Sequence, residues 1–349
     1  MTTCHDFIIG DSRHLEMISR DSMDLIVTSP PYPMIAMWDE LFMGLDPEVE
    51  EALMQGAGIR AFELMHRQLD YCWDEICRVL KPGGMACINI GDATRTVNSN
   101  FQLFPNHARI LSYCQEKGLN PLPAIIWRKE TNAPNKFMGS GMLPPGAYVT
   151  LEHEYILLLR KGEKRQFNCP EQKQKRRESA FFWEERNKWF SDVWSQLKGA
   201  RQTINNKKGN GRSGAFPFEL AYRLINMFSI KGDQVLDPFA GTGTVMLAAI
   251  ASERNSTGVD LKPSLGEMAR DRAFLFLQEG NNYILKRLQH HLDFIRAREK
   301  EGRPIKYRNR HHGFPVITRQ EEDIIINLIE AIHPQEKFPL TASYRPPFL

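Results

Sequence analysis

Short apolar runs, each ending on a polar or acidic residue, recur along the chain. "DFIIGD" stops at Asp11, "DLIVTS" at Ser29 and "GMACINIGD" at Asp92. "PAIIW" follows at residues 123–127, "EHEYILLLRKG" at 152–162, "DQVLDP" stops at Asp237 and "STGVD" at Asp260. Runs of this length, apolar on both faces, predict strands covered from both sides. Between them lie helical patterns. Residues 61–80 carry Leu64, Tyr71, Cys72, Ile76, Val79 and Leu80, then stop at Lys81-Pro82-Gly83-Gly84. Residues 217–230 and 244–252 are further helices. Alternating strands and helices predict an α/β domain with a mostly parallel sheet and helices on both faces. In such sheets ligands sit at the carboxyl ends of the strands, where the polar residues that end the runs fall.

Two regions depart from the alternation. Residues 163–211 are basic and turn-rich toward their end ("NNKKGNGRSG"), which predicts an insertion between two parts of one sheet. After residue 261 the pattern is helical. "ITRQEEDIIINLIEAI" opens with a capping box, Thr318 with Glu321, and "YILKRLQHHLDFIRAREKEG" is basic and amphipathic. The chain thus divides into 1–162, 163–211, 212–270 and a helical extension, 271–349.

Composition sharpens this picture. Over 349 residues, 42% hydrophobic and 25% charged, the chain has the balance of a soluble protein with a full core. No apolar run approaches the roughly 20 residues that span a bilayer, and "MTTCHDFIIGDS" lacks the form of a secretion signal. A cytoplasmic location follows. The six cysteines form no CxxC pair, so they read as reduced thiols with no metal role. The net charge of +3 conceals an asymmetry: residues 161–212 hold 14 Lys+Arg against 6 Asp+Glu, a local +8, leaving −5 elsewhere. Trp183, Trp189 and Trp194 lie in the same segment. Basic residues interleaved with aromatics form a nucleic-acid footprint, with a solvated charged insertion as the alternative.

The chemistry concentrates in two stretches. "QVLDPFAGTGTVMLAA", residues 234–249, reads as strand, Asp-Pro-Phe, glycine turn and helix. Gly241 and Gly243 let the backbone turn tightly near a ligand, and the following helix offers free N–H groups. Asp260 ends the next strand 19 residues after Gly241, a spacing suited to ribose hydroxyls. The turn is not GxGxxG and lacks a P-loop Lys, which favours an adenosine ligand without a phosphate chain. The second stretch is "TSPPY", residues 28–32. Pro30 and Pro31 stiffen the backbone and remove N–H donors. They stand between a hydroxyl, Ser29, and a ring, Tyr32.

Together "TSPPY" and "DPFAGTG" resemble the DNA amino-methyltransferases that use S-adenosylmethionine. The order of catalytic motif, basic segment and cofactor motif resembles the permuted β group of that family. "ICRVLKPGGMACINIGD", "AIIWRKETNAPN", "EHEYILLLRKG" and "AFPFELAYRLI" extend the likeness over most of residues 5–270. The resemblance implies a permuted Rossmann-like fold with a seven-stranded sheet. It also implies a catalytic loop at Ser29, Pro30, Pro31 and Tyr32. A loop carbonyl and the Ser29 side chain would accept hydrogen bonds from an exocyclic amine and aim its lone pair at the methyl sulfonium. Tyr32 would stack on a base extruded from the duplex. Cofactor contacts carry over to Asp11, Phe216, Asp237, Phe239, Gly241, Thr242, Gly243 and Asp260. Ser before Pro-Pro is associated in that family with N4 of cytosine and Asp with N6 of adenine. The expected activity is therefore N4-cytosine methylation of duplex DNA by a prokaryotic restriction-system modification enzyme. N6-adenine methylation is the alternative, with protein-glutamine or RNA methylation behind it. A companion endonuclease would act on the same site without a stable complex, and the enzyme would be a monomer or homodimer. Lys164, Arg165, Lys173, Lys175, Arg176 and Arg177 are expected to contact DNA backbone. Asp92 could line the pocket or end its strand, and His153-Glu154, His290-His291 and His311-His312 read as structural.

Overall fold

Ten strands build one sheet in the computed structural model, which describes residues 1–129, 138–197, 216–333 and 337–347. In chain order they are β1 (Thr2–Ile9), β2 (Met23–Thr28), β3 (Leu80–Ile90), β4 (Leu119–Arg128) and β5 (His153–Lys161). They continue with β6 (Val193–Trp194), β7 (Gln234–Asp237), β8 (Asn255–Asp260), β9 (Leu328–His333) and β10 (Leu340–Arg345). Their spatial order is β6-β4-β5-β3-β2-β7-β8-β1-β10-β9. The run β3-β2-β7-β8-β1 is parallel throughout. Strand β5 runs antiparallel to β3 and β4.

Side chains alternate between two cores. Leu25 and Val27 of β2 join Val235 of β7 in one cluster, with the helices Phe218–Phe228, Thr244–Ala251 and Pro263–Lys300. Ile26 and Leu236 face the other cluster, under the helix Gly58–Val79. Helices therefore cover both faces, and a period of two with every position apolar is the sequence consequence. β2 is buried at all six residues.

All seven runs read as strands form strands, and three more widen the sheet. β6, from within the basic segment, pairs parallel with β4. β9 and β10 come from the carboxyl-terminal region read as wholly helical. That region is helical only to Lys300. The Thr318–Glu321 capping box forms, with both reciprocal bonds, but it caps a single 3-10 turn, Arg319–Glu321. Arg310 and Arg177 both pair with Asp323 at 3.0 Å, and the Ile325 amide donates to the Glu178 carbonyl. These contacts hold "DIIIN" extended, and the β-branched run continues into β9. β10 then pairs antiparallel with β1, locked by Thr3 Oγ1 to the Tyr344 hydroxyl at 2.7 Å.

The basic segment docks onto the sheet through Arg165. Arg165 grips Asp233 through two bonds, 2.6 and 3.0 Å, and approaches Asp24 at 3.5 Å. The helix Pro170–Glu178 follows, and Ser179 Oγ accepts from the Lys231 amide. Asp24 lies at the start of β2 and Asp233 precedes β7, so Arg165 sits at the amino-terminal ends of these parallel strands, and Lys175 lies beside Gly232 at the same end. Ser29 and Asp237 lie at the carboxyl ends, roughly 13 Å away along a four-residue strand. The Arg165 guanidinium is already paired. Residues 198–211 of the segment fall outside the described residues.

Candidate active site

The two motifs meet where β2 and β7 end side by side. Thr28 Oγ1 donates to Asp237 Oδ1 at 2.7 Å, and the Phe239 amide donates to the same oxygen at 3.1 Å. Both side chains of the Thr28–Asp237 pair are buried. Burial pushes the Asp237 carboxyl up to about 7; the Thr28 and Phe239 hydrogen bonds oppose this, and the nearby Asp260 charge adds to it. A buried acid poised near neutrality at a strand end is a candidate functional position.

The glycine turn follows at once. Gly241 and Gly243 have φ of +51° and +79°, a region unfavourable to other residues. A Cβ on Gly243 would lie 2.9 Å from Ala269 Cβ on the long helix, whereas one on Gly241 would meet nothing within 4 Å. Gly243 thus serves packing, and Gly241 leaves open space over the turn. Asp260 at the end of β8 accepts the Gly241 amide at 3.0 Å and the Lys262 amide at 3.1 Å. Arg272 donates to the Thr242 carbonyl and hydroxyl, both at 2.6 Å, fixing the turn from the long helix. Asp11, beyond β1, accepts from the Arg13 amide at 2.9 Å and pairs with its guanidinium at 2.7 Å. Burial raises the Asp11 carboxyl, but Arg13 outweighs it and the net shift is downward. Phe239 is partly exposed, its ring edge-on to Trp73. Phe216 is buried at the head of the helix Phe218–Phe228.

The catalytic-loop residues sit one strand over. Pro30 and Pro31 are buried, and Ser29 and Tyr32 are half-buried. The Tyr32 hydroxyl donates to Glu154 Oε2 at 2.9 Å and accepts from the Asn89 amide at 2.8 Å. Asn89 also donates to Glu154 Oε2 at 2.7 Å. Ser29 Oγ lies 3.0 Å from the Tyr32 hydroxyl. Lys129 donates to Glu154 Oε1 and sits 4.5 Å over the Trp127 ring. Burial, then the Glu154 charge, drives the Tyr32 phenol well above its usual range, so it stays a proton donor.

Asn89, Lys129 and Glu154 were not singled out from the sequence, and Glu154 was read as structural. Register brings them together: Trp127 pairs with Glu154 across β4–β5, and Asn89 with Ile156 across β5–β3. The available signal was Asn89, a lone amide in the apolar run "MACINI". Its Oδ1 is buried without a hydrogen-bond partner, an arrangement that costs about 1–3 kcal/mol unless something supplies a donor. Asp92 binds His107 Nδ1 at 2.8 Å and its amide at 3.1 Å, holding the start of the helix Asn106–Glu116. His291, read as structural, pairs with Glu184 at 2.7 Å and stacks on Phe182 inside the core. Among the described residues no cluster of three or more His, Cys, Asp or Glu is placed to hold a metal. No described helix is long and apolar enough to cross a membrane.

Residues 23–271 match the N6/N4 methylase family, described as DNA methylase. The type II methyltransferase M.MthZI of Methanothermobacter thermautotrophicus is 50% identical over 325 residues, covering 93% of this chain and 90% of its own. The type II methyltransferase M.MjaI of Methanocaldococcus jannaschii is 47% identical over 283 residues, covering 78% and 92%. Among solved structures, a candidate DNA modification methylase from Thermus thermophilus, complexed with S-adenosyl-L-methionine, superposes with a TM-score of 0.60. It is 32% identical and covers 77% of this chain and 92% of its own.

Proposed function

The chain belongs to the N6/N4 DNA methylase family, with S-adenosyl-L-methionine as methyl donor, and on that premise we propose that it methylates N4 of a cytosine flipped out of duplex DNA. The reading extends to its role: a type II modification enzyme, as its relatives are named, paired with an endonuclease acting on the same site. The observation that carries it is the Thr28–Asp237 hydrogen bond, which joins residues 209 apart and sets the Ser-Pro-Pro-Tyr loop beside the glycine turn.

The residues present fit the methyl donor. Open space over Gly241 admits a ligand against the backbone, Asp237 suits the cationic methionine end, and Asp260 suits ribose hydroxyls, with Asp11 and Phe239 at the rim. When bound, the donor supplies an electrophilic methyl group on a positively charged sulfur. The chain's own work is on the amine. The lone pair of an exocyclic amine is delocalised into the ring, so acceptors fixed by two prolines must draw its protons and turn the nitrogen toward sp³ geometry. Positioning and electrostatics in a partly dry site supply the gain. A neutral hydroxyl at residue 29 favours cytosine over adenine, by the resemblance that associates Asp with adenine. Hydrolysing methylated DNA to nucleosides and weighing them is the test: N4-methyl-2′-deoxycytidine is expected, and N6-methyl-2′-deoxyadenosine alone would overturn the cytosine reading.

A second expectation concerns the cofactor. In the unloaded protein Asp237 is protonated below about 7, and a cationic ligand favours its ionised form. Affinity for S-adenosyl-L-methionine should therefore rise with pH up to about 7 and then level, with proton release on binding below that point. Calorimetry in buffers of different ionisation enthalpy reads both; an affinity flat from about pH 5.5 to 8 would remove Asp237 from the site.

A further inference from the structure

The hydrogen bonds around Tyr32 have only one consistent direction. Tyr32 has one hydroxyl proton, and it is donated to Glu154. A carboxylate accepts only, and Asn89 reaches the Tyr32 oxygen through its N–H. The 3.0 Å contact between the two hydroxyls must then be Ser29 donating to Tyr32. The Ser29 proton is thus committed to Tyr32, and although Asn89 also approaches Ser29 Oγ at 3.5 Å, a lone pair remains for an incoming N–H. The chain of donors runs Ser29, Tyr32, Glu154. It ends on a carboxylate that is 12% exposed and carries Lys129 on its other oxygen.

We propose that Ser29, Tyr32 and Glu154 form a proton relay that removes the proton lost by the target amine. The proposal rests on the reading of the site as methylating an exocyclic amine. A nitrogen that gains a methyl group holds one proton too many. Its N–H bond breaks and the electron pair returns to nitrogen. Ser29 Oγ takes that proton and passes its own to the Tyr32 oxygen, which passes its own to Glu154. Both hydroxyls end as they began, and the carboxylate becomes a carboxylic acid open to solvent at its edge. An N-alkylated exocyclic ammonium is a far stronger acid than a carboxylic acid, so the transfer runs downhill even beside Lys129. Glu154 acts through Tyr32 and Ser29 and is a positioning residue for the proton. Asn89 fixes both partners by donating to each.

The test is single-turnover methyl transfer to duplex DNA at saturating S-adenosyl-L-methionine, with Glu154→Gln, Tyr32→Phe and the double variant. Gln keeps an acceptor for the Tyr32 hydroxyl but cannot end a relay at neutral pH, and Phe keeps the ring. Each single change should slow transfer about tenfold or more. The half-saturating DNA concentration should stay within about twofold. The double variant should be no slower than the slower single one, since both break one chain. Solvent deuterium should slow the unaltered protein and leave both variants unaffected. Calorimetric binding of S-adenosyl-L-methionine should be unchanged in all three. Glu154→Gln at the unaltered rate, or losses that multiply in the double variant, would overturn the relay. Where Glu154→Gln does not fold, Tyr32→Phe decides alone, and an unaltered rate refutes the relay. If the unaltered protein methylates no amine in DNA, the underlying functional reading fails instead, a result distinct from each of these.

Discussion

Ser29→Ala is expected to lower the single-turnover methyl-transfer rate about a hundredfold or more. Removing one fixed hydrogen-bonding group from a site where charge develops typically costs roughly 10²–10³ in rate. Ser29 has two tasks in the proposed chemistry: its oxygen accepts from the amine, and its proton leads toward Tyr32. Its loss should therefore exceed that of Glu154→Gln, which leaves the acceptor in place. Cofactor affinity should hold within about twofold, because the glycine turn is braced by Asp260 and Arg272, not by Ser29. Stability should change by less than about 1 kcal/mol at a half-buried position with no packing role. A fall in rate with unchanged DNA concentration dependence identifies an interaction made in the transition state. A rate within about threefold of the unaltered protein would place the decisive acceptor on the loop carbonyls alone.

What the sequence revealed and what it hid separate along a physical line. The strands from β1 to β8 other than β6 were legible because two-sided burial forces continuous apolar runs. Ser-Pro-Pro-Tyr and the glycine turn were legible because their chemistry needs unusual residues at fixed local spacing. The cluster around Tyr32 was not, since Glu154, Asn89 and Lys129 become neighbours only through the register of three strands. A one-residue slip in β5 would turn Glu154 to the opposite face. For a related reason, the composition of the basic segment reports its charge but not which end of the sheet the chain passes. Arg165, expected to contact DNA backbone, is held by Asp24 and Asp233. The capping box at Thr318 was read correctly as a local device. The element behind it was decided by tertiary contacts, which hold Asp323 and Ile325 extended, over local helical periodicity.

Asp237→Asn should make the unloaded protein more stable at pH 8 while abolishing its activity. The Asp237 carboxyl lies near 7 in the folded protein, against an ordinary 3.8. Below about pH 3.8 both folded and unfolded chains hold the proton, and the site contributes no pH-dependent penalty. Between 3.8 and 7 the unfolded chain releases the proton and the folded one keeps it, so stability falls as pH rises. Above about 7 the penalty is complete, with an upper bound of about 4 kcal/mol from a shift of about three units. Asn carries no charge and keeps an oxygen for Thr28 and the Phe239 amide, but its buried NH₂ lacks a partner, which costs about 1–3 kcal/mol. The net gain at pH 8 should be on the order of 1–3 kcal/mol, raising the melting temperature by a few degrees. Near pH 4 the advantage should vanish or reverse. Melting curves of both proteins across this range measure the difference directly, and a gap independent of pH would show that Asp237 is not held against its charge. With the gap present, the unloaded site stores an unfavourable buried carboxylate beside the catalytic loop. A cationic ligand relieves it, converting part of its binding into order at the place where the amine must be aimed.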